Sequence, residues 1–248
     1  MEIILKENER IDDLQFNNLK LIQKTNGFCF GIDSILLSDF AKDLPENSNV
    51  LDLGTGTGII STLLCSKTNL SKIYGIEIQP DMAEMASRSI CLNNLNDKFE
   101  IINTNINNLY DYFRKNSFDT VVSNPPYKKN NSGIKNVSET KLISRHEITA
   151  SLEDFIRISS DFLKYNGTFY MVHRPERLVD LLYLLRKYNL EPKKMQFVHS
   201  YTNQQPKLLL IKAVKNAKSF INIEKPLIIY NKDGTYTDEI LKIYNKEK

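Results

Sequence analysis

The chain has 248 residues, 41% of them hydrophobic, which suffices for one Rossmann-sized core with appendages and leaves two full domains cramped. A net charge of +3 is too small to mark a nucleic-acid binder by itself, and no run nears the roughly 20 apolar residues of a membrane span, so a soluble cytoplasmic protein is expected. Cys29, Cys65 and Cys91 are widely spaced in apolar surroundings, and His146, His173 and His199 are equally scattered, which predicts buried reduced thiols and no metal site.

Residues 1–48 read as an N-terminal extension, in which Asp12 and Asp13 precede a short periodic stretch. Asp33 is placed to cap a helix through Ile35, Leu36, Leu37 and Phe40 that stops before Pro45. From Asn49 strands and helices alternate. Val50 to Leu53 is an apolar strand, Gly54 to Gly58 a tight loop, and Ile59 to Cys65 the start of a helix. Lys72 to Glu77 is the next strand, followed by a helix with Pro80 in its first turn. Strands at Phe99 to Ile102 and Phe118 to Ser123 follow, the latter apolar enough to be buried on both faces.

The polar stretch from Lys128 to Thr149 is long for a connection within a compact domain. Beyond it come an amphipathic helix from Ser151 to Leu163, a strand from Thr168 to His173 and a helix from Pro175 to Tyr188. Closing strands are expected at Phe197 to His199 and Leu208 to Val214, bounding a main domain at residues 49–218. The C-terminal extension, residues 219–248, contains an apolar Pro226 to Tyr230 segment, a turn at Lys232 to Gly234 and a short helix from Thr237 to Tyr244. The expected architecture is a Rossmann-like α/β fold, with a mostly parallel seven-stranded sheet covered by helices on both faces.

Such sheets bind ligands at the carboxyl ends of their strands, which lines up Asp52, Glu77, Asn103 to Asn105 and Asn124 along one edge. Gly54, Gly56 and Gly58 let the backbone approach a ligand closely, and Glu77 ends the next strand about 20 residues on, where a ribose-binding acid belongs. The spacing is Gly-x-Gly-x-Gly, and Asp52 precedes it. This resembles the first motif of class I S-adenosylmethionine methyltransferases. A carboxylate there opposes a pyrophosphate but suits an ammonium and a sulfonium, which disfavours a nicotinamide dehydrogenase. Many relatives of that fold carry Asp near the end of the third strand to accept from the adenine amino group. Here the candidate is Asn105, whose oxygen can accept the same bond or serve a turn.

Asn124-Pro125-Pro126-Tyr127 follows the apolar run Val121-Val122-Ser123. An exocyclic amine is a poor nucleophile because its lone pair is delocalised into the ring. If the Asn124 oxygen and the Pro125 carbonyl accept its two hydrogens, the nitrogen gains electron density and is held in line for methyl transfer. Pro126 stiffens the turn and Tyr127 offers a face for base stacking. The tetrapeptide occurs in enzymes acting on adenine, on guanine N2 and on protein glutamine amides. All three acceptors are planar amines, so the motif gives the reaction type and leaves the substrate open.

Charge is unevenly spread. No Asp or Glu occurs from Pro192 to Ile223, while Lys193, Lys194, Lys207, Lys212, Lys215 and Lys218 do; Lys128, Lys129, Lys135, Lys141 and Arg145 form a second basic cluster. Either reads as an RNA-binding patch or as ordinary solvated surface.

A wider resemblance narrows the substrate. The stretch Gly27 to Leu37, Gly75-Ile76-Glu77-Ile78-Gln79, the Asn-Pro-Pro-Tyr-Lys run, Arg145-His146-Glu147 and Val172 to Leu178 resemble the bacterial tRNA adenine-37 N6-methyltransferases, over about Asp12 to Val214. That resemblance implies S-adenosylmethionine as cofactor, tRNA as partner, Asn124 to Tyr127 on the base, and Asp52, Gly54, Gly56, Gly58 and Glu77 on the cofactor. Gln23 and Phe30 would close over the cofactor pocket. Arg145 and His146 would touch RNA phosphate or form a helix entry beside Glu147, and Arg174 and Arg177 would be RNA contacts or helix-surface charges. The short N-terminal extension leaves little room for the helical domain usual in glutamine-methylating relatives, and no target-recognition domain of a DNA enzyme is visible. A non-enzymatic RNA-binding module would need neither the glycine loop nor the tetrapeptide. Whether the chain is a monomer or a homodimer stays open.

Overall fold

The computed structural model describes residues 4–25, 31–127 and 150–246. Phe30, Cys29, Arg145, His146 and the basic cluster from Lys128 to Arg145 lie outside the described residues.

The chain opens with an antiparallel hairpin of β1 (Glu9–Asp13) and β2 (Lys20–Lys24). No strand pair was expected there. β1 is almost wholly polar and carries no alternating apolar signal, whereas Leu21 and Ile22 of β2 are fully buried. Helix α1 (Ile32–Phe40) starts from Gly31, and its first turn, not its cap, holds Asp33. The central sheet then builds from β3 (Asn49–Leu53), β4 (Lys72–Glu77), β5 (Phe99–Asn103), β6 (Phe118–Ser123) and β7 (Leu163–His173), all parallel. β8 (Leu190–His199) and β9 (Pro206–Lys215) complete it, with β9 antiparallel to both β7 and β8.

The order across the sheet is β5-β4-β3-β6-β7-β9-β8. Two short strands, β10 (Asn222–Ile223) and β11 (Leu227–Ile228), add to the free edge of β8. Seven long strands were thus legible, and the tail supplies two more. β8 is longer than its apolar pattern suggested because it runs through Pro192. The ladder with β9 shifts register between Pro192 and Lys194, the kind of irregularity where a strand tolerates proline.

Helices α2 (Ile59–Lys67), α3 (Pro80–Leu92), α4 (Leu152–Phe162) and α5 (Leu178–Lys187) cross between strands. The expected helix from Pro175 is split into a 3-10 turn, Pro175–Arg177, and α5. Alternation along the strands divides the core. Val50, Val122 and Tyr170 face the layer of α1 and α2, while their neighbours Leu51, Val121 and Phe169 face α4 and α5. The C-terminal helix α6 (Asp238–Ile243) places Ile240 in the first of these layers, together with Leu227 and Ile229. Of the cysteines, Cys65 is buried as expected but Cys91 is exposed at the end of α3. Among the described residues no helix is long and apolar enough to cross a membrane.

Helix α4 has a full capping box: the Ser151 hydroxyl accepts from Asp154 N at 3.2 Å, and Asp154 Oδ2 accepts from Ser151 N at 3.0 Å. Ser151→Ala should lower stability by about 1 kcal/mol. Urea unfolding should show a lower midpoint at an unchanged slope.

Candidate active site

The parallel ladders end β3, β4 and β6 side by side, since Leu53 pairs with both Ile76 and Ser123. Ser123 Oγ donates to Leu53 O at 2.9 Å and locks the two ends together. Asp52, Glu77 and Asn124 therefore meet at one edge, as expected from the sequence.

Asp52 is completely buried. Its Oδ2 accepts from Thr55 Oγ1 and Ser61 Oγ, both at 2.7 Å, whereas Oδ1 is buried with no hydrogen-bond partner among the described residues. Burial outweighs these two hydroxyls and pushes the carboxyl up to about 6. Thr55 and Ser61 were not singled out from sequence, because loop and helix hydroxyls carry no motif of their own.

The glycine loop is clasped to the neighbouring strand. Gly54 N and Thr55 N both donate to Ile76 O, and Gly56 N donates to Glu77 Oε2 at 3.0 Å. Gly56 has φ +58, and a Cβ there would meet nothing within 4 Å, so the loop's backbone borders open space. Gly58, at φ +83, is constrained from behind, where a Cβ would lie 3.0 Å from Phe99. Glu77 Oε1 accepts from Gln79 N at 2.8 Å, and burial raises its carboxyl from the ordinary value. Asn103 Nδ2 donates to Glu77 O, tying the end of β5 to β4.

Asn105 sits one step farther out. Its Oδ1 accepts from Asn107 N at 3.0 Å and caps the 3-10 turn Ile106–Asp111, the turn role weighed from the sequence. Gln23 is buried on β2 and donates from Nε2 to Asp12 Oδ2 at 2.6 Å. The hairpin holds it beside α3, where Ile22 N donates to Ser89 Oγ and Lys24 Nζ reaches Asp81 in the helix's first turn.

On the other side of the edge, Asn124 Nδ2 lies 3.1 Å from Ser34 Oγ and Asn124 Oδ1 lies 2.7 Å from the Tyr127 hydroxyl. That hydroxyl also lies 2.8 Å from Asp33 Oδ2. Burial, and next the Asp33 carboxylate, push the phenol up, so it keeps its proton. Tyr127 was expected to present a stacking face. In this structure its ring meets His173 edge-on at 5.4 Å, and the Arg174 guanidinium lies 5.0 Å from its centroid. A base stacking on that same face displaces Arg174. His173 is buried and pushed down to about 4, so it is neutral near pH 7, with Nδ1 accepting from Arg174 N at 2.8 Å.

The structure separates the cations that sequence could not. Arg177 pairs with Asp180 at 2.7 Å, while Arg174 stays at the site and donates to Lys207 O. The basic run from Lys193 to Lys218 is divided between edges. Lys207 lies at the same strand end as His173, whereas Lys215 pairs with Leu190 at the opposite end. Lys215 is a structural cation, donating to Ser160 O, Leu163 O and Asn116 Oδ1 around the end of α4. Among the described residues no cluster of His, Cys, Asp or Glu could hold a metal ion.

Residues 18–189 match the family model described as methyltransferase small domain. A tRNA1(Val) (adenine(37)-N6)-methyltransferase of Porphyromonas gingivalis is 28% identical over 239 residues, covering 94% of this chain and 93% of the relative. One of the same name from Mannheimia succiniciproducens is 28% identical, covering 86% and 84%. Among solved structures, a predicted O-methyltransferase of Agrobacterium tumefaciens superposes with TM-score 0.69 at 19% identity, covering 86% of this chain and 96% of that one. TYW2 of Pyrococcus horikoshii, in complex with MeSAdo, superposes with TM-score 0.61 at 13% identity, covering 86% and 73%. These likenesses support the Rossmann-like methyltransferase fold.

Because the folded-state pKa of Asp52 lies above its unfolded value, its proton stabilises the fold below about pH 4, and that contribution is lost as pH rises through about 6. Asp52→Asn should lack this component. Urea unfolding of both proteins between about pH 4 and pH 8 should show a steeper decline for the parent; parallel curves would contradict the buried, partly unsatisfied carboxylate.

Proposed function

Since the chain belongs to the methyltransferase small domain family, we propose that it methylates the N6 amino group of an adenine in tRNA, at position 37 beside the anticodon of a valine tRNA. The methyl donor is S-adenosylmethionine. When bound, it supplies an electrophilic methyl group on a sulfonium.

Two features of the chain fit that donor. The buried Asp52 carboxylate offers Oδ1, an acceptor still to be satisfied, to an ammonium. Gly56 leaves room above the loop for a ribose, with Glu77 next to it to receive ribose hydroxyls in exchange for the Gly56 amide. Gly54 and Gly58 shape the same loop. Asn105, through the second lone pair of its capping oxygen, serves the cofactor's adenine amino group, and Gln23 closes the pocket from the N-terminal side.

The observation that carries the transferase chemistry is the placement of Asn124 at the end of β6, one ladder step from Leu53 and the glycine loop. There the Asn124 oxygen and the Pro125 carbonyl accept the two hydrogens of a planar amine, directing its lone pair at the methyl group. Pro126 stiffens the turn, and Tyr127 with Arg174 bounds the base. An unpaired loop base is extruded at less cost than one in a duplex, which suits an anticodon loop. The names of the relatives support adenine as the acceptor. A tRNA substrate makes the cytoplasm the site of action.

Incubation with radiolabelled cofactor should label tRNA and leave release factor unlabelled; label confined to release factor would sink the RNA reading. Asn124→Ala should cut transfer at least about a hundredfold while cofactor affinity stays within about twofold. The affinity for tRNA should fall steeply with salt. Arg174→Ala and Lys207→Ala should each reduce the slope by about one, and Lys193→Ala, at the far edge, should leave it unchanged.

A further inference from the structure

The Tyr127 hydroxyl has one proton and two oxygens within reach, Asp33 Oδ2 at 2.8 Å and Asn124 Oδ1 at 2.7 Å. A carboxylate is a stronger hydrogen-bond acceptor than a neutral carboxamide, so the proton goes to Asp33. Tyr127 then shows Asn124 a lone pair, which the carboxamide meets with its amide hydrogens, its oxygen turned to the Ser34 side. The consequence bears on the amine. An Asn124 oxygen already holding the tyrosine proton would have less to offer a substrate hydrogen.

Asp33 is built into this position. Its Oδ1 accepts from Ser34 N at 2.9 Å, which folds the carboxylate back against the start of α1. The fold-back requires glycine at position 31, since a Cβ there would lie 2.7 Å from Asp33 Oδ1. The adjacent Ser34 reaches the other end of the Asn124 carboxamide at 3.1 Å. Two consecutive residues of α1 thus engage the acceptor loop from 90 and 94 positions earlier in the chain. Neither contacts the glycine loop through any described hydrogen bond.

We infer that Asp33 is a positioning residue for methyl transfer: by taking the Tyr127 hydroxyl proton it keeps the Asn124 carboxamide oxygen available to the acceptor amine. This rests on the proposed amine chemistry at Asn124 and adds to it a residue outside the tetrapeptide.

Asp33→Asn separates this role from simple scaffolding. The isosteric carboxamide can still bond Tyr127, but by donating to the phenol oxygen, which drives the tyrosine proton onto Asn124. Its kcat should fall about tenfold, with cofactor affinity and melting temperature near those of the parent. Adding Tyr127→Phe removes the competing proton while keeping the ring, so Asp33→Asn/Tyr127→Phe should be several-fold more active than Asp33→Asn alone, on the order of a 1 kcal/mol coupling. If Asp33 only holds α1 against the loop, the double variant loses one more hydrogen bond and is no better than the single. Either that outcome, or an Asp33→Asn kcat within about twofold of the parent, overturns the inference. Asp33→Ala, which also leaves Asn124 as the sole acceptor for Tyr127, serves if Asp33→Asn does not fold. A second readout needs no substrate: the side-chain amide resonances of Asn124 in heteronuclear NMR should move on Asp33→Asn and return toward the parent in the double variant, and unmoved resonances contradict the inference. That shift, seen in a protein that methylates no tRNA, would mean that the substrate reading had failed and the positioning network had not.

Discussion

The ladder that joins β3 to β4 on one side and to β6 on the other is the constraint on which the site depends. Leu53 is the common partner of Ile76 and Ser123, so the residues that follow each strand emerge together. A slip of one residue in either pairing would turn Asp52 or Ser123 to the opposite face of the sheet and break the arrangement. The flanking interactions oppose such a slip. Gly54 N and Thr55 N cap Ile76 O, Ser123 Oγ caps Leu53 O, and Asn103 Nδ2 caps Glu77 O. Each uses a polar group that the end of a buried strand would otherwise leave unpaired.

Upon that frame the two sides of the edge differ in electrostatics. The side at Asp52 and Glu77 concentrates buried acceptors. Asp52 and Glu77 both sit below the surface with carboxyls raised by burial, and one Asp52 oxygen lacks a partner among the described residues. An unsatisfied buried acceptor costs roughly 1–3 kcal/mol, a cost that a cationic ligand offsets. The Asn124 side sets neutral groups beside two opposite charges: His173 is uncharged and Asn124 is a carboxamide, while the Asp33 carboxylate and the Arg174 guanidinium both meet Tyr127. That suits an uncharged amine, for which a nearby carboxylate would only need to be avoided or relayed.

Much of this is legible in the sequence, for identifiable reasons. The glycine spacing, Glu77 after the second strand of the main sheet and Asn124 after an apolar strand are all local patterns with a single structural meaning in a parallel sheet. The N-terminal hairpin was not legible, since Glu9 to Asp13 carry charge on both faces and pair only with β2. Asp33 looked like a helix cap because its spacing fits one; its actual partner, Tyr127, is distant in sequence, and no periodicity reports such a contact. The lysines from Lys193 to Lys218 looked like one basic run because strands β8 and β9 are adjacent in sequence, yet antiparallel pairing sends their ends to different edges. Tyr127 was expected to offer a stacking face, and nothing in the sequence signals that Arg174, which follows β7, reaches that ring in three dimensions.

On the proposed function, the Asn124 edge methylates an exocyclic amine of adenine in tRNA. Nucleoside mass spectrometry of tRNA incubated with the protein and S-adenosylmethionine, combined with fragment mapping, tests it most directly. N6-methyladenosine is expected in the fragment holding position 37 of a valine tRNA, and Asn124→Ala should abolish it. Methylation of a ring nitrogen or of guanine N2, or an untouched tRNA alongside a methylated protein glutamine, would contradict it.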